Sequence, residues 1–275
     1  MKPTPARERP TDRPDILDPD RTELLRALDA GFTGWARAEG AREIVVPPLY
    51  GVADLEKFDV YQNFPQLAFL AAPLSVTEGE PPPATTDLGT ARFGLPHSAC
   101  LGAYLFHEDS ELAGDTVLTM VQWCFRNEDH YVPLRRQAAF QMRETVALGS
   151  YEHTQRLLDR AGERITAFGA ALGLGLAREA ASDPFFARDG ARALMSRLSP
   201  VKHEFRFGDL ALASVNTHRN FFGERCRIRL AGTSEYAYTS CVAFGLERWV
   251  AVLLDAHGTA ARATEAVRAA AGALR

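Results

Sequence analysis

A chain of 275 residues with 31 Lys and Arg against 35 Asp and Glu has a net charge of −4, which gives no basic excess of the kind that proteins wrapping nucleic acid show. Hydrophobic residues at 46% and charged residues at 24% suit a globular chain with an ample core. No apolar run approaches the roughly 18 residues that cross a bilayer, and the N-terminus lacks the apolar stretch of a signal peptide, so a cytoplasmic protein without a membrane partner is expected.

Five prolines among charges leave residues 1–20 little apolar surface to bury, and that segment is expected to be disordered; residues 21–275 are expected to form a single domain. Asp20 reads as the N-cap of a helix whose buried stripe is Leu24, Leu25, Leu28 and Phe32. Residues 43–49, Glu-Ile-Val-Val-Pro-Pro-Leu, read as a strand stopped by two prolines. Residues 74–90 read as a surface loop. Strands follow at 117–125 and 138–148, joined by a charged loop at 126–137. A long amphipathic helix is expected over residues 150–179, then strands at 203–207, 210–216, 226–230 and 236–244. Helices at 246–256 and 259–274 close the chain. This order predicts an α+β fold with a mainly antiparallel sheet flanked by helices.

Chemistry concentrates in three places. The stretch Tyr238-Thr-Ser-Cys241-Val-Ala-Phe-Gly245-Leu-Glu247-Arg248 runs from strand through glycine into a helix whose first turn carries an arginine. Such a unit makes an anion site, because glycine lets the backbone approach a ligand and the helix N-terminus favours negative charge. Upstream, Cys124-Phe125-Arg126-Asn127-Glu128 offers a second arginine; alone, an Arg-x-Glu is as well read as a surface ion pair. On the strand at 138–148, Glu144 falls on the same face as Phe140, Met142, Val146 and Leu148, while Arg143 falls on the other. A carboxylate on an apolar face costs several kcal/mol unless a cation or donors satisfy it. Of the four cysteines, expected as thiols or metal ligands rather than disulfides, Cys100 and Cys241 are candidates to meet it. Two thiolates and a carboxylate suit Zn²⁺ and leave a fourth position open; spacing alone equally allows both cysteines to be small core residues.

These motifs resemble motifs 2 and 3 of class II aminoacyl-tRNA synthetases, and the helix followed by residues 43–49 resembles motif 1, the dimer-forming segment. Over about residues 40–258 the chain is similar to the amino acid:[carrier protein] ligases, truncated homologues of the catalytic core of methanogen-type seryl-tRNA synthetases. The resemblance implies the class II catalytic fold and a homodimer. It implies ATP and Mg²⁺, with Arg126 on the α-phosphate, Glu128 on the adenine amino group, Phe140 stacked on adenine, Gly245 beside the nucleotide and Arg248 at the γ-phosphate. It also implies Zn²⁺ on Cys100, Glu144 and Cys241, holding the amino group of the substrate. The strand before motif 3 carries no acid for Mg²⁺ beyond Asp209 at its edge. Asn216, His218, Ser240 and Ala243 are expected to line the pocket for a small amino acid, with His218 equally readable as a structural histidine. Cys124 and Cys226 have no matching role and read as structural, Cys226 on a strand.

The activity so implied is ATP-dependent formation of an aminoacyl-adenylate and its transfer to the phosphopantetheine thiol of a holo-carrier protein. One helix before residue 43 leaves no room for a tRNA-binding arm, so tRNA is not the expected acceptor. Transfer to a peptide, or to a tRNA brought by a partner, and a non-catalytic sensor of amino acid or nucleotide are the alternatives.

Overall fold

The computed structural model of the chain describes residues 15–79, 81–183, 185–186 and 201–274. In chain order the first elements are α1 (Pro19–Ala38), β1 (Arg42–Glu43), β2 (Tyr50–Gly51), α2 (Val52–Lys57), α3 (Val60–Asn63), β3 (Phe69–Ala71), β4 (Phe93–Leu95), α4 (Leu101–Phe106) and β5 (Glu111–Leu112). The central part is β6 (Thr116–Phe125), β7 (Ala139–Gly149), α5 (Tyr151–Ala171), β8 (Ala177–Ala181), β9 (Lys202–Phe207) and β10 (Leu210–Arg219). Then come α6 (Phe221–Arg225), β11 (Arg229–Leu230), β12 (Tyr238–Gly245), α7 (Leu246–His257) and α8 (Ala260–Ala273).

Seven strands form one sheet in the order β1-β6-β7-β12-β10-β9-β8. Only the β1–β6 pair is parallel; every other pair is antiparallel, as the alternating strands and short connections predict. Each face of the sheet has its own core. On one face Ala147, Val215, Val242 and Phe244 pack under α1, α5, α7 and α8, with Phe32 stacked on Phe244 at a centroid distance of 3.9 Å. On the other, Met120, Val146, Leu148 and Cys241 pack against α2, α4 and the segment around Cys226. Among the described residues no helix is long and apolar enough to cross a membrane.

Several sequence expectations are corrected. The first helix starts earlier than Asp20: Asp18 is its N-cap, accepting from the Arg21 backbone N–H at 2.8 Å, with Pro19 in the first turn. Asp15 belongs to the ordered part, its carboxylate accepting from the Leu134 backbone and from the Gln137 side chain; residues 1–14 lie outside the described residues. The strand expected over residues 43–49 is only two residues long, because Pro47 and Pro48 offer no donors. The helix expected to reach residue 179 stops at Ala171. Gly173 takes φ +74° and the Leu174 N–H reaches back to Gly169 O at 2.8 Å, a left-handed cap that frees residues 177–181 to pair with β9. Cys226 is not on a strand but caps α6, a turn held so tightly that a Cβ on Gly223 would lie 2.1 Å from the Ala237 carbonyl oxygen.

Candidate active site

The strand ladder explains which side chains can meet. One row across the sheet is Met120, Glu144, Ala243, Ser214 and Glu204; the next is Leu118, Val146, Cys241, Asn216 and Lys202. Because side chains in register share a face, the carboxylate, the motif 3 cysteine and the cleft residues project from one side of the sheet. Phe140 is on the same face, four strand residues from Glu144, or about 13 Å at the usual rise.

Cys100, at the N-terminus of α4, comes over this face. Its sulfur, the Cys241 sulfur and a Glu144 carboxylate oxygen all lie within 4.8 Å of one another, and all three residues are buried. Burial pushes the Glu144 carboxyl up to about 7, against hydrogen bonds from Cys241, Cys100 and the Cys100 backbone that favour its ionised form. Burial also raises the Cys241 thiol. Ligands at about 2.3 Å (sulfur) and 2.0–2.2 Å (oxygen) from a common centre stand roughly 3.5–3.8 Å apart, so small side-chain shifts close this cluster on a metal ion. A dithiol and a carboxylate, desolvated together and without a cation bonded to the carboxylate in the group, fit such an ion.

A cleft opens toward the other end of the face, lined by Arg126, Glu128, Phe140, Ala243, Gly245 and Arg248 among others. The Arg126 guanidinium lies over the Phe140 ring, 5.1 Å from its centroid, and its Nε donates to His97 O at 3.2 Å. Arg136 donates to Glu128 at 2.9 Å. Arg248 donates to Arg135 O at 2.9 Å and to Ala211 O at 3.1 Å, and burial, aided by the Arg126 charge, lowers it to about 10. Two cations are thus held in one half-buried cleft with carbonyls as the direct partners of Arg248, an arrangement that favours a bound polyanion. Gly245 caps α7 at φ −80° and ψ 101°, a conformation open to any residue, and a Cβ there would meet only the Arg248 side chain, at 3.6 Å. The backbone thus makes no demand for glycine at this point.

Ser240 does not belong to this pocket. Neighbouring β12 residues alternate, and Ser240 faces α5, donating to Thr154 O at 3.0 Å. Ala243 and Asn216 do face the site; Asn216 Nδ2 donates to the Cys241 sulfur at 3.3 Å. His218 also reaches this cysteine, Nε2 to Sγ 3.6 Å. Cys124 is fully buried under the same face, and Asp209 sits at the β9–β10 turn, where its carbonyl accepts from Arg206. Two residues escaped the sequence reading. Lys202, whose ammonium pairs with Asp183 at 3.0 Å and Glu204 at 3.3 Å, lines the cleft beside Asn216. Glu247 is buried with both carboxylate oxygens 2.9 Å from the Gln141 backbone N–H, and burial lifts it to about 7. Only strand register could have brought Lys202 in, since no motif marks it.

No protein-family model matches the chain. It is 32% identical over 244 residues to amino acid–[acyl-carrier-protein] ligase 1 of Bradyrhizobium diazoefficiens, covering 81% of this chain and 74% of the relative. Ligase 2 of the same organism is 30% identical over 233 residues, covering 77% and 69%. Among solved structures, the seryl-tRNA synthetase of M. kandleri, crystallised with A. aeolicus tRNASec, matches with a TM-score of 0.77 at 20% identity, covering 92% of this chain and 55% of that one. The prolyl-tRNA synthetase of Cryptosporidium parvum, complexed with halofuginone and AMPPNP, matches with a TM-score of 0.68 at 12% identity, covering 89% and 48%. The chain therefore spans about half the length of these synthetases and shares the class II catalytic fold with them. The likeness in sequence to these two relatives is at the level that defines a family, and the chain belongs to the amino acid–[acyl-carrier-protein] ligases.

Proposed function

We propose that the protein activates a small amino acid with ATP and passes the aminoacyl group to the phosphopantetheine thiol of a carrier protein. The observation that carries this reading is the shared face: a cleft that holds Arg126 and Arg248 among its cations and a dithiol–carboxylate cluster on one side of β7, about 13 Å apart by strand rise. That span suits a nucleotide triphosphate joined end to end with an amino acid.

In the first step a carboxylate oxygen of the amino acid attacks the α-phosphorus of ATP, and pyrophosphate leaves. Arg126 neutralises the α-phosphate and Arg248 the γ-phosphate end, so the charge that builds during attack meets fixed cations in a low-dielectric cleft. Phe140 gives the adenine a flat apolar surface, Glu128 accepts from its amino group, and Gly245 leaves room beside it. In the second step the carrier thiol attacks the acyl carbon; a thioester forms, AMP leaves and the thiol proton goes to solvent. Positioning supplies most of the rate, and no covalent enzyme intermediate is required.

Cys100, Glu144 and Cys241 are the residues that would hold Zn²⁺, which when bound supplies a Lewis-acid position for the substrate amino group. Magnesium enters with ATP. No protein ligand set is assigned to it, because β10 brings no acid to the cleft and Glu204 is engaged by Lys202 and Arg206. In this reading the amino-acid end is bounded by Ala243, Asn216 and the buried cluster, and an added methylene in a packed pocket costs about 1–3 kcal/mol; glycine- to serine-sized substrates are therefore favoured over leucine or phenylalanine.

The chain acts as a dimer in this reading. Val45, Val121 and Trp123, 97%, 38% and 45% exposed, form an apolar margin beside β1 that a second copy would cover.

The deciding experiment offers radiolabelled small amino acids and ATP with holo-carrier protein or tRNA as acceptor. Label on the phosphopantetheine thiol is expected. Pyrophosphate exchange with label only on tRNA would reassign the acceptor, and absence of exchange with every amino acid would point to a sensor.

A further inference from the structure

Behind the Cys241 sulfur lies a run of polar groups that neither the nucleotide nor the amino acid accounts for. His218 is half-buried, its Nε2 3.6 Å from the Cys241 sulfur and its Nδ1 3.1 Å from the Tyr104 hydroxyl. A second hydroxyl, Thr239, lies 3.4 Å from the same Nδ1. A Tyr104 hydroxyl that donates to Nδ1 leaves the proton of the neutral ring on Nε2, facing the sulfur. Tyr104 is itself locked, stacked on Phe222 at 4.0 Å and 10°.

The backbone is shaped for this contact. In the β10–β12 ladder Thr217 pairs with Ser240 and Arg219 with Thr239, leaving His218 as the extra residue of a bulge, with Arg219 at φ +52°. Bulges of this kind re-aim a side chain at the cost of a ladder position. His218 is not a member of the cluster itself, whose ligand atoms within 4.8 Å of one another come from Cys100, Glu144 and Cys241.

We propose that Tyr104 and His218 form a hydrogen-bonded bridge behind Cys241 that fixes this ligand of the metal-binding triad, with His218 a positioning residue for Cys241. The bridge rests on the metal reading given above. Tyr104 donates to His218 Nδ1, and His218 Nε2–H and Asn216 Nδ2–H donate to the Cys241 sulfur. The thiolate is thus held in one orientation and part of its charge is drawn away from the metal. Outer partners of this sort are worth about 10- to 100-fold in metal affinity.

The test uses the full-length protein and Zn²⁺ alone, with affinity measured by chelator competition, and Co²⁺ substitution to follow the thiolate-to-metal charge-transfer band. His218→Leu is expected to weaken zinc about 10-fold or more and to move the cobalt band to lower energy. His218→Gln, which keeps an N–H donor, is expected to recover most of both. Tyr104→Phe keeps the ring stack and is expected to shift both readouts in the direction of His218→Leu. Wild-type affinity and an unmoved band in Tyr104→Phe, or in folded His218→Leu, overturn the bridge while leaving the metal site intact. Wild-type protein that binds no zinc overturns the metal reading and the bridge together.

Discussion

Replacing Arg248 with methionine separates its place in the fold from its work. The guanidinium is lowered from 12.5 to about 10, chiefly by burial and then by Arg126, so keeping it charged costs the folded protein about 3 kcal/mol. Methionine removes that cost. It also deletes the hydrogen bonds to Arg135 O and Ala211 O, worth roughly 1.5–3 kcal/mol each because the donor is charged. The two effects oppose, and denaturant unfolding of Arg248→Met should lie between wild type and about 3 kcal/mol below it. Catalysis has no such compensation. Loss of a charge-assisted contact to phosphate should cost about 2–4 kcal/mol, or about 30- to 1000-fold in rate. The assay is ATP–pyrophosphate exchange on the folded variant, with Arg126→Met beside it. Exchange at the wild-type rate would refute the phosphate role. Destabilisation of the variant beyond that range would show that Arg248 serves the fold instead.

Elemental analysis should find about one zinc per chain, and the Cys100→Ser, Cys241→Ser double variant should lose it; metal retained in that variant would place the ion elsewhere. Glu247 has a folded pKa raised from 4.5 to about 7 by burial, so the folded protein holds the proton that the unfolded chain releases, and stability falls as pH rises across that window. Glu247→Gln lacks this descent, and its stability relative to wild type should improve by up to about 3 kcal/mol between pH 5 and pH 8; a difference that stays flat with pH would count against the burial argument. Gly245→Ala should melt with wild type yet raise the KM for ATP, since the added Cβ meets only Arg248 within the protein; an unchanged KM would mean the nucleotide does not pass there. Sedimentation at micromolar concentration should give a dimer, and Trp123→Glu should shift it toward monomer.

Much of the arrangement was legible because it depends on period. The alternation in β7 assigned Glu144 and Arg143 to opposite faces, and they are so disposed, Glu144 toward the thiols and Arg143 toward Asp29 and Glu43. Motif spacing located Arg126 and Arg248, which do line one cleft. Failures came where tertiary context overrides local pattern. The glycines at 173 and 175 end α5, yet the alanine-rich stretch that follows has helical propensity and was read through. Of the strand expected over residues 226–230 only Arg229–Leu230 pairs, while Cys226 caps the helix before it, where Gly223 packs on Ala237. Ser240 lies close to the other pocket residues along the chain, but the two-residue period of β12 turns it to the α5 side. Lys202 was invisible for another reason: nothing local distinguishes it, and only pairing with Asn216 brings it to the site.

The buried Arg143 has a further consequence. Its Nε and Nη2 donate to Asp29 at 2.6 and 3.0 Å and its Nη1 to Glu43 at 2.9 Å, tying α1 and β1 to β7. The very next residue, Glu144, is gripped from the opposite side by two thiols. Suppose β7 slid by one residue against its neighbours, which reverses every side chain. The guanidinium would then enter the cysteine cluster and the carboxylate would face two acids. Apolar strands tolerate such sliding when both sides are greasy; here consecutive charges of opposite sign, each with its own receptor, act as a key that turns in one position. The geometry of the Cys100–Glu144–Cys241 cluster thus leans on an ion pair that never touches it, and neutralising Asp29 would loosen the frame on which Glu144 is aimed.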